Sequence, residues 1–556
     1  MNYKGFITAL FCANSLFTFS QWNTNPSINT AIAIAAKSQQ NIHSTTDTKN
    51  GAIIVWDDNR NNTITSTDIY AQRIKSNGFE RWSTSDVLVC DAPGIQKSNN
   101  IITGGIDGSC IITWEDGRAG NYDIYAQKID SSGNILWGTN GIVVCNRATN
   151  QKNPKIISDN SGGAIIVWED SASFYFDIYA QKINNLGIPQ WTSNGVPICV
   201  APNQQQNPTL DIDGLGGAII TWQDKRSNVD YDIYAQKING SGAIGWASNG
   251  IIICNATNTQ SNPRIEPDGA NGAVISWIDK RNAIDYNIFA QRVNSAGSVQ
   301  WAGNGVSVCS ATNNQSAIDM KYLGSTGIIF TWKDNRVTTT YQIYAQLIDL
   351  NGVNQLAING IQLSTGLKAI NPNTIKDGLG GAIVAWQDST AIGWDIKSQK
   401  LNSTGSEQWS SGGVIVCNAT NDQTAVSQVL DGNGGAIFAW EDRRNGTDLE
   451  IYAHHLFFNG SEVVGINELN KNEIQSSVYP TPANEILNIK LNNNLLDDIF
   501  TISIIDVLGK EIISYKNVHS EEQIIKLNVS ALNSGVYFYS LKSNTKKSTG
   551  KLIISK

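Results

Sequence analysis

The chain has 556 residues and a mass of 60.4 kDa, which exceeds one ordinary compact core and predicts several domains or a repeat array. Hydrophobic residues make up 41% of it, which excludes wholesale disorder, and no apolar run reaches the ~18–20 residues of a membrane-spanning helix. The net charge of −8 argues against a nucleic-acid partner, because such proteins usually present a basic face.

Residues 1–20 have the pattern of a secretory signal peptide. Lys4 precedes an apolar stretch, and Thr18-Phe19-Ser20 places small residues at the −3 and −1 positions before Gln21. A buried first strand and a lipoprotein modified at Cys12 are the alternatives, although Phe11 is bulky for the position before a lipidated cysteine. The signal predicts that the protein is exported.

A repeat unit occupies most of the chain. A tryptophan followed two residues later by an aspartate occurs eight times, at successive spacings of 58, 54, 54, 55, 55, 54 and 54 residues. A copy of Asp-Ile-Tyr-Ala-Gln-Lys-Ile, an Asn-Gly turn and an apolar strand ending in cysteine follow in most copies. The eight pairs are Trp56 and Asp58, Trp114 and Asp116, Trp168 and Asp170, Trp222 and Asp224, Trp277 and Asp279, Trp332 and Asp334, Trp386 and Asp388, and Trp440 and Asp442.

Each repeat unit holds four short strands. β-branched and aromatic residues dominate the unit, helical periodicity is absent, and Asn-Gly and Asp-Gly-x-Gly-Gly are hairpin turns. Four strands per repeat are typical of a β-propeller, so we predict an all-β chain with an eight-bladed propeller over residues 21–460. The W-x-D strand is similar to that of WD-type propellers, a similarity that implies architecture and no activity.

The two ends of the repeat array complement each other. Residues 28–34 match the fourth strand of a unit, and residues 39–42 match the next first strand. The last unit ends near Phe458 without a fourth strand of its own. We therefore expect the N-terminal strand to complete the last blade and leave no open sheet edge.

The aspartates of the W-x-D triplets recur in every unit, and six of them are followed two residues later by arginine. A catalytic group is needed once per site rather than eight times around a ring, so we predict a structural role in which each carboxylate accepts loop N–H groups and pairs with its arginine. A ring-shaped ion site is the alternative. The six arginines are Arg60, Arg118, Arg226, Arg281, Arg336 and Arg444.

Cysteine also recurs at one repeat position, where Leu363 replaces it once. Equivalent atoms in neighbouring blades lie beyond the ~7 Å Cα separation that a disulfide tolerates, so we predict buried free thiols. The four histidines are scattered, with His454 and His455 on opposite faces of one strand. The sequence thus predicts no metal site and no cofactor, and the Asp-rich turns are better explained as hairpins than as calcium loops. The repeat cysteines are Cys90, Cys145, Cys199, Cys254, Cys309 and Cys417.

One repeat position is aromatic in six consecutive units. It precedes the Asp-Ile-Tyr strand, at the end of the loop between the second and third strands. A ring of aromatic side chains on one rim would suit a sugar or peptide, although packing between blades is the favoured explanation. The candidate ligand-binding residues are Tyr122, Phe174, Tyr175, Phe176, Tyr231, Tyr286, Tyr341 and Trp394, with the loops of the third and seventh units departing most from the pattern.

The last ~80 residues differ in composition and contain neither tryptophan nor cysteine. They contain Val478-Tyr479-Pro480-Thr481-Pro482-Ala483, Asp506-Val507-Leu508-Gly509-Lys510, Leu532-Asn533-Ser534-Gly535-Val536-Tyr537-Phe538 and Lys551-Leu552-Ile553-Ile554. Short alternating strands with these turns predict a small Ig-like β-sandwich over residues 477–556, after a linker over residues 461–476.

This order of motifs resembles the C-terminal sorting domain of the type IX secretion system. The family pattern has Y-P-N-P-A, D-x-x-G-[KR] and L-x-x-G-x-Y motifs before a basic-apolar last strand; Thr481 stands where the family usually has asparagine. The resemblance implies that the secretion machinery is a partner and that the protein is secreted or held at the outer cell surface. An ordinary Ig-like module is the alternative.

Three functions remain open at this point. The favoured one is an extracellular binding scaffold for a glycan, peptide or protein. A polysaccharide-active hydrolase or lyase would need a single carboxylate pair that breaks the eightfold pattern, and Glu266, Asp285 and Glu407 are departures that look isolated in the sequence. The third possibility is a purely structural surface protein.

Overall fold

The computed structural model describes residues 22–61, 65–79, 82, 86–105, 107–171, 174–337, 339–461, 476–491, 499–506, 510–519, 524–543 and 547–556. The predicted signal peptide and almost all of the predicted linker lie outside the described residues. The chain divides into two compact units, residues 1–464 and residues 465–556.

The first unit contains eight four-stranded antiparallel sheets, which confirms the predicted all-β, eight-bladed propeller. A single 3₁₀ turn, Gly324–Thr326, interrupts the strands of the described residues. The first half comprises β1 (Thr30–Ala33), then blade 1 with β2 (Gln39–Thr46), β3 (Ala52–Asp58), β4 (Asp68–Ile74) and β5 (Val87–Cys90), blade 2 with β6 (Gln96–Thr103), β7 (Cys110–Asp116), β8 (Asp123–Ile129) and β9 (Ile142–Cys145), blade 3 with β10 (Gln151–Ser158), β11 (Ala164–Asp170), β12 (Asp177–Ile183) and β13 (Val196–Cys199), and blade 4 with β14 (Gln205–Ile212), β15 (Ala218–Asp224), β16 (Asp232–Ile238) and β17 (Ile251–Cys254). The second half comprises blade 5 with β18 (Gln260–Pro267), β19 (Ala273–Asp279), β20 (Asn287–Val293) and β21 (Val306–Cys309), blade 6 with β22 (Gln315–Tyr322), β23 (Ile328–Asp334), β24 (Gln342–Ile348) and β25 (Ile361–Gln362), blade 7 with β26 (Ala369–Lys376), β27 (Ala382–Ser389), β28 (Trp394–Leu401) and β29 (Val414–Cys417), and blade 8 with β30 (Gln423–Leu430), β31 (Ala436–Asp442) and β32 (Glu450–Leu456).

The first strands of the blades lie side by side around the centre of the ring. The Asn100 amide donates to the Pro154 carbonyl of the next blade at 3.1 Å, and the Ser44 and Ser427 hydroxyls of blades 1 and 8 lie 2.7 Å apart. The apolar core lies between successive sheets, where side chains such as Val167 of blade 3 pack against Trp222 of blade 4. Residues of the first strands that do not enter this core face the central channel.

The last blade is completed by the N-terminal strand. β1 pairs antiparallel with β32, with Ala33 opposite Ile451, so blade 8 has four strands like the others. The indole N–H of Trp22 donates to the Ser76 carbonyl of blade 1 at 2.8 Å, which repeats the contact from Trp82 to Ser131 in the next blade. Trp22 is thus the second tryptophan of blade 8, a role that the sequence analysis missed.

The turns between first and second strands are closed by aspartates. In blade 4, Asp213 accepts the N–H groups of Leu215 and Gly217, both at 2.8 Å, and its other oxygen lies 3.4 Å from the Lys237 ammonium of the third strand. In blade 6 the aspartate and the lysine are replaced together by Leu323 and Leu347, which pack into one apolar cluster. In blade 2, Gly104 replaces the aspartate, and the buried Lys128 ammonium donates to the Gly162 carbonyl at 2.8 Å instead.

The second unit is a β-sandwich of two antiparallel sheets. Its core contains Leu487, Ile502, Ile525, Leu541 and Leu552, all at most 2% exposed. One sheet has the order β33-β34-β37 and the other β36-β35-β38-β39, where the strands are β33 (Ser476–Tyr479), β34 (Ile486–Leu491), β35 (Phe500–Ile505), β36 (Glu511–Val518), β37 (Ile524–Asn528), β38 (Gly535–Lys542) and β39 (Lys547–Ile554). The predicted turn around Gly509 lies outside the described residues.

Candidate functional site

The repeated tryptophan, aspartate and arginine form one network in each blade that has all three residues. In blade 2, Asp116 accepts the indole N–H of Trp114 at 2.8 Å and the Nε–H of Arg118 at 2.7 Å. The Arg118 guanidinium stacks on the ring of Tyr125 at 4.0 Å and donates to the Asn140 carbonyl at 2.9 Å. The motifs W-x-D-x-R, D-I-Y and N-G are therefore parts of a single contact set that holds the strands of a blade together.

The presence of glycine in the Asn-Gly turn is explained by the tryptophan that faces it. Gly141 has φ +81°, and a Cβ at this position would lie 2.5 Å from the ring of Trp114. The tryptophan therefore requires glycine in the facing turn. The eight tryptophans Trp56, Trp114, Trp168, Trp222, Trp277, Trp332, Trp386 and Trp440 are fully buried, and the aspartates Asp58, Asp116, Asp170, Asp224, Asp279, Asp334, Asp388 and Asp442 are at most 2% exposed.

Blades 3 and 7, which lack the arginine, recruit a cation from elsewhere. In blade 3, Arg147 of the preceding connection lies 3.3 Å from Asp170 and stacks on the Tyr179 ring at 4.0 Å. In blade 7, Lys397 stands in place of the tyrosine, and its ammonium lies 2.8 Å from Asp388. The two blades whose loops differ most from the repeat are thus the two blades in which the aspartate pairs with a different cation.

The repeat cysteines are buried free thiols among the described residues. Burial raises the pKa of the Cys199 thiol to about 12, and the Arg226 guanidinium donates to its sulfur at 3.3 Å. Because thiolates are the reactive form, these thiols are unreactive in the native protein at neutral pH.

We expect thiol titration of the mature protein in denaturant, without reductant, to find seven thiols: Cys110 and the six repeat cysteines. The native protein should react far more slowly. Cys199→Val should cost only about 1–2 kcal/mol of unfolding free energy, as for a small buried hydrophobe. Mass spectrometry that found cysteine peptides linked between blades would contradict the geometry.

The aromatic position before the third strand connects neighbouring blades through its backbone. The carbonyl of Tyr122 accepts the N–H of Gln151 at 2.7 Å, and the carbonyl of Tyr286 accepts that of Gln315 at 2.7 Å. Lysines cover several of the rings: Lys225 lies 5.7 Å from the Tyr231 centroid and Lys280 lies 5.0 Å from that of Tyr286.

The aromatic residues of blades 3 and 7 differ in their surroundings. Phe174 is fully exposed and Tyr175 is 45% exposed on the blade 3 loop, while the Phe176 carbonyl accepts the N–H of Gln205 at 2.8 Å. Trp394, which the sequence placed in a loop, is the first residue of β28 and pairs with Ser389. That placement was wrong because the pairing of Trp394 with Ser389 extends the hairpin of β27 and β28 by one residue pair.

A polar contact joins the inner parts of successive blades at several junctions. The middle residue of the W-x-D triplet accepts the N–H of an asparagine in a bulge of the next first strand, as Glu169 does from Asn207 at 2.7 Å. The same contact joins Glu115 to Asn153 at 2.8 Å, Gln223 to Asn262 at 3.1 Å and Glu441 to Asn41 at 2.6 Å. The bulge asparagine has positive φ, which asparagine tolerates better than most residues.

This contact is replaced by a cavity at the junction of blades 5 and 6. Ile278 stands where an acceptor is needed, Ala317 (φ 52°) stands in place of the bulge asparagine, and Lys333 is the middle residue of the next triplet. All three line a cavity of about 490 Å³. Tyr286 and Tyr341 also line it, so the structure brings two of the eight predicted aromatic residues together at one site.

The rest of the cavity wall is polar. Asn262, Asn314 and Arg264 are among the polar residues that line it, and none of its lining residues is acidic. Tyr286 is 37% exposed, and the Lys333 ammonium lies 5.0 Å from the centroid of the Tyr341 ring. Phe174 and Trp394 do not line this cavity, so it lies away from the two loops that the sequence singled out.

The channel also contains a group of charges that the sequence analysis did not recognise. Lys321 lies 2.5 Å from the Glu266 carboxylate, whose other oxygen accepts the N–H of Tyr322 at 3.1 Å. Burial and then the nearby Glu266 carboxylate raise the pKa of Asp211 to about 7. Glu266 is therefore not isolated, which corrects the expectation; its neighbours occupy the same repeat position, 55 residues before and after it.

The other residues considered in the sequence lie apart. Asp285 is in the loop between β19 and β20, and Glu407 pairs with Leu401 in an isolated bridge of blade 7. His455 lies 2.9 Å from Asp431, where it takes the place of the turn lysine. Within the described part of the chain, no three histidine, cysteine or acidic side chains are grouped closely enough to hold a metal ion.

The C-terminal unit matches a known family model. Residues 477–555 match the secretion system C-terminal sorting domain. These residues are a sorting domain. The predicted resemblance to the type IX secretion family is confirmed, and the sorting domain marks the protein as secreted or attached to the outer cell surface. No helix of the described chain has the length and apolar character needed to cross a bilayer.

Solved structures resemble the chain only at low identity. An endo-arabinase from Bacteroides thetaiotaomicron is 14% identical, with a TM-score of 0.28, and the match covers 44% of this chain and 92% of that one. An α-L-arabinofuranosidase from Fusarium graminearum is 9% identical, with a TM-score of 0.32 and coverage of 57% and 96%. A eukaryotic initiation factor is 7% identical, with a TM-score of 0.40 and coverage of 78% and 89%. No curated protein matches the sequence. These likenesses assign no activity to the propeller that precedes the sorting domain.

We expect the free energy of unfolding to decrease as the pH rises from about 4 to about 7, and we expect Asp211 to cause this decrease. An aspartate in the unfolded chain has a pKa of about 3.9, so the native protein holds the extra proton in this window and must lose it above pH 7. Asp211→Asn should match the wild type at pH 4 and be more stable by roughly 1–3 kcal/mol at pH 8. Thermal melts across this range test it, with Asp285→Asn as the control; identical profiles for Asp211→Asn and wild type would contradict it.

Proposed function

We propose that the protein is an extracellular binding propeller whose ligand occupies the cavity between blades 5 and 6. The observation that carries the proposal is the cavity that opens where the repeat is interrupted at this junction. Ile278, Ala317 and Lys333 replace residues that join the blades elsewhere, and the resulting space opens beside Tyr286 and Tyr341. The missing contact alone is not unique to this junction, because Lys333 also cannot accept the N–H of Asn371 at the next one, so the proposal rests on the tyrosine-lined cavity.

The cavity suits a hydroxyl-rich ligand. Its walls combine tyrosine rings, which stack on flat or ring-shaped groups, with amide side chains that can both donate and accept hydrogen bonds. Its volume of about 490 Å³ lies within the usual range of small-ligand sites. Ile278 and Ile318 are at most 6% exposed, and Ala317 is exposed but small, so the aliphatic lining offers little surface to an apolar peptide side chain. A glycan is therefore the favoured ligand class.

Binding of polysaccharides to the full mature protein tests the proposal. Affinity electrophoresis through gels containing dextran, xylan, polygalacturonate or dextran sulfate should show retardation by at least one of them. Tyr286→Ala with Tyr341→Ala should lose the retardation. The matched control is Tyr122→Ala with Tyr231→Ala, which removes the same repeat residues away from the cavity. The absence of any retardation would favour a purely structural protein, whereas equal retardation of the cavity variant and the wild type would show that the polymer binds elsewhere.

A polysaccharide hydrolase is the second candidate, and one observation favours it. Asp211 has a raised pKa beside the Glu266 carboxylate, which is the pattern of a carboxylic acid that stays protonated near neutral pH. Release of reducing ends from the same polysaccharides would support this candidate if Asp211→Asn abolished it. Lack of release, or release that persists in Asp211→Asn, would exclude these carboxyl groups as catalytic.

A further inference from the structure

The cavity between blades 5 and 6 is cationic in an acidic protein. The chain carries a net charge of −8, yet the charged residues that line the cavity are Arg264 and Lys333 alone. The charge of the residues that line the cavity is therefore positive, whereas the net charge of the protein is negative.

Arg264 is available to a ligand. Arg264 is exposed, lines the cavity and makes no ion pair within 4.0 Å to any described carboxylate. Its guanidinium donates to the Pro263 carbonyl at 3.3 Å. The arginines of the repeat network behave differently, as Arg281 of the same blade lies 2.6 Å from Asp279. A guanidinium without a carboxylate partner is suited to a planar anionic group.

A second cation, Lys155, projects from the equivalent position of blade 3. Its pKa is lowered by burial and then by the like charge of Arg264, while the Glu169 and Glu115 carboxylates act in the opposite direction. Asp319, the acidic residue at this position of blade 6, is already bound by the N–H groups of Met320 at 2.9 Å and Thr374 at 2.6 Å. Nearby positive charges that repel one another favour the entry of an anion.

We infer that the cavity binds an acidic oligosaccharide, whose carboxylate or sulfate group is held by Arg264 and Lys333 while a sugar ring packs against Tyr286 or Tyr341. This inference rests on the proposed binding function and names the chemical class of its ligand. Arg264 would orient the anionic group, and the amides of Asn262 and Asn314 would bind neighbouring hydroxyls. Uronate and sulfate esters share the chemistry that this arrangement recognises.

Matched pairs of polymers separate charge from sugar recognition. We would compare polygalacturonate with its fully methyl-esterified form, and dextran sulfate with dextran, by affinity electrophoresis and calorimetry on the full mature protein. The wild type should bind at least one charged polymer at least tenfold more tightly than its neutral partner. Arg264→Gln and Lys333→Gln should each reduce that preference by about tenfold.

Lys225→Gln is the matched control, because Lys225 stacks on Tyr231 in blade 4 but does not line the cavity. It should leave the preference unchanged. If neutral polymers bind as tightly as charged ones and the tyrosine variants still lose binding, the acidic class is wrong and the proposed site stands. If Lys225→Gln weakens binding as much as Arg264→Gln, the attraction is non-specific and the inference is overturned. If no polymer binds at all, the proposed function itself fails.

Discussion

A mature chain that begins at Lys37, and so lacks Trp22 and β1, is expected to be insoluble or to melt roughly 10 °C or more below the wild type. The deletion leaves β2 intact but exposes the edge of β32 and the apolar face that Ile32 and Ala33 cover in blade 8. It also removes the indole that packs on Gly78 of blade 1. Burial of a tryptophan alone is worth about 3–5 kcal/mol, and the ring loses its closing contact as well.

Solubility, size-exclusion chromatography and thermal melts of the purified protein measure this effect. Trp22→Ala should destabilise the protein about as much as Trp137→Ala, which makes the same contact with Gly187 in an internal blade. Removal of residues 465–556 is the control for shortening the chain, and the melting transition of the propeller should not change, because that unit has its own core. A monomeric Lys37 chain with the wild-type melting temperature would show that the closure is not stabilising.

Asp116→Ala is expected to cost about 3–5 kcal/mol of unfolding free energy, although it removes only one small side chain. The carboxylate is fully buried and accepts hydrogen bonds from the Trp114 indole and from both the side chain and the backbone of Arg118. Its loss leaves a guanidinium and an indole N–H without an acceptor in a place that water reaches poorly. Denaturant unfolding monitored by tryptophan fluorescence measures the change.

Asp388→Ala in blade 7 is the matched comparison and should cost less. The Asp388 carboxylate pairs with the Lys397 ammonium at 2.8 Å and accepts a longer hydrogen bond from the Trp386 indole at 3.4 Å. The lysine can turn toward solvent when its partner is removed, whereas Arg118 is held by its stack on Tyr125. Equal costs at the two positions, or a cost below 1 kcal/mol for Asp116→Ala, would show that the network contributes little.

The sequence predicted much of the fold because the repeat is local. Each blade needs its strands, turns and W-x-D-x-R contacts within about 55 residues, so their periodic recurrence was sufficient to predict eight four-stranded blades. The sorting domain was also predicted from short motifs in order. The tyrosines at positions 286 and 341 were named as candidates from the same periodicity, although nothing in the sequence distinguished them from Tyr122 and Tyr231.

The tertiary structure decided what depends on neighbouring blades. Trp22 precedes its strand by three residues more than the internal tryptophans do, and its role became visible only when β1 paired with β32. Asp211, Glu266 and Lys321 are distant in the chain and meet because equivalent first strands lie side by side around the channel.

The cavity likewise arises from Ile278 in blade 5 and from Ala317 and Lys333 in blade 6, each an unremarkable residue in its own strand. Repeat periodicity determines which residues are equivalent. The tertiary structure determines which non-repeat residues form a site, because a site between blades requires side chains of two different blades to meet.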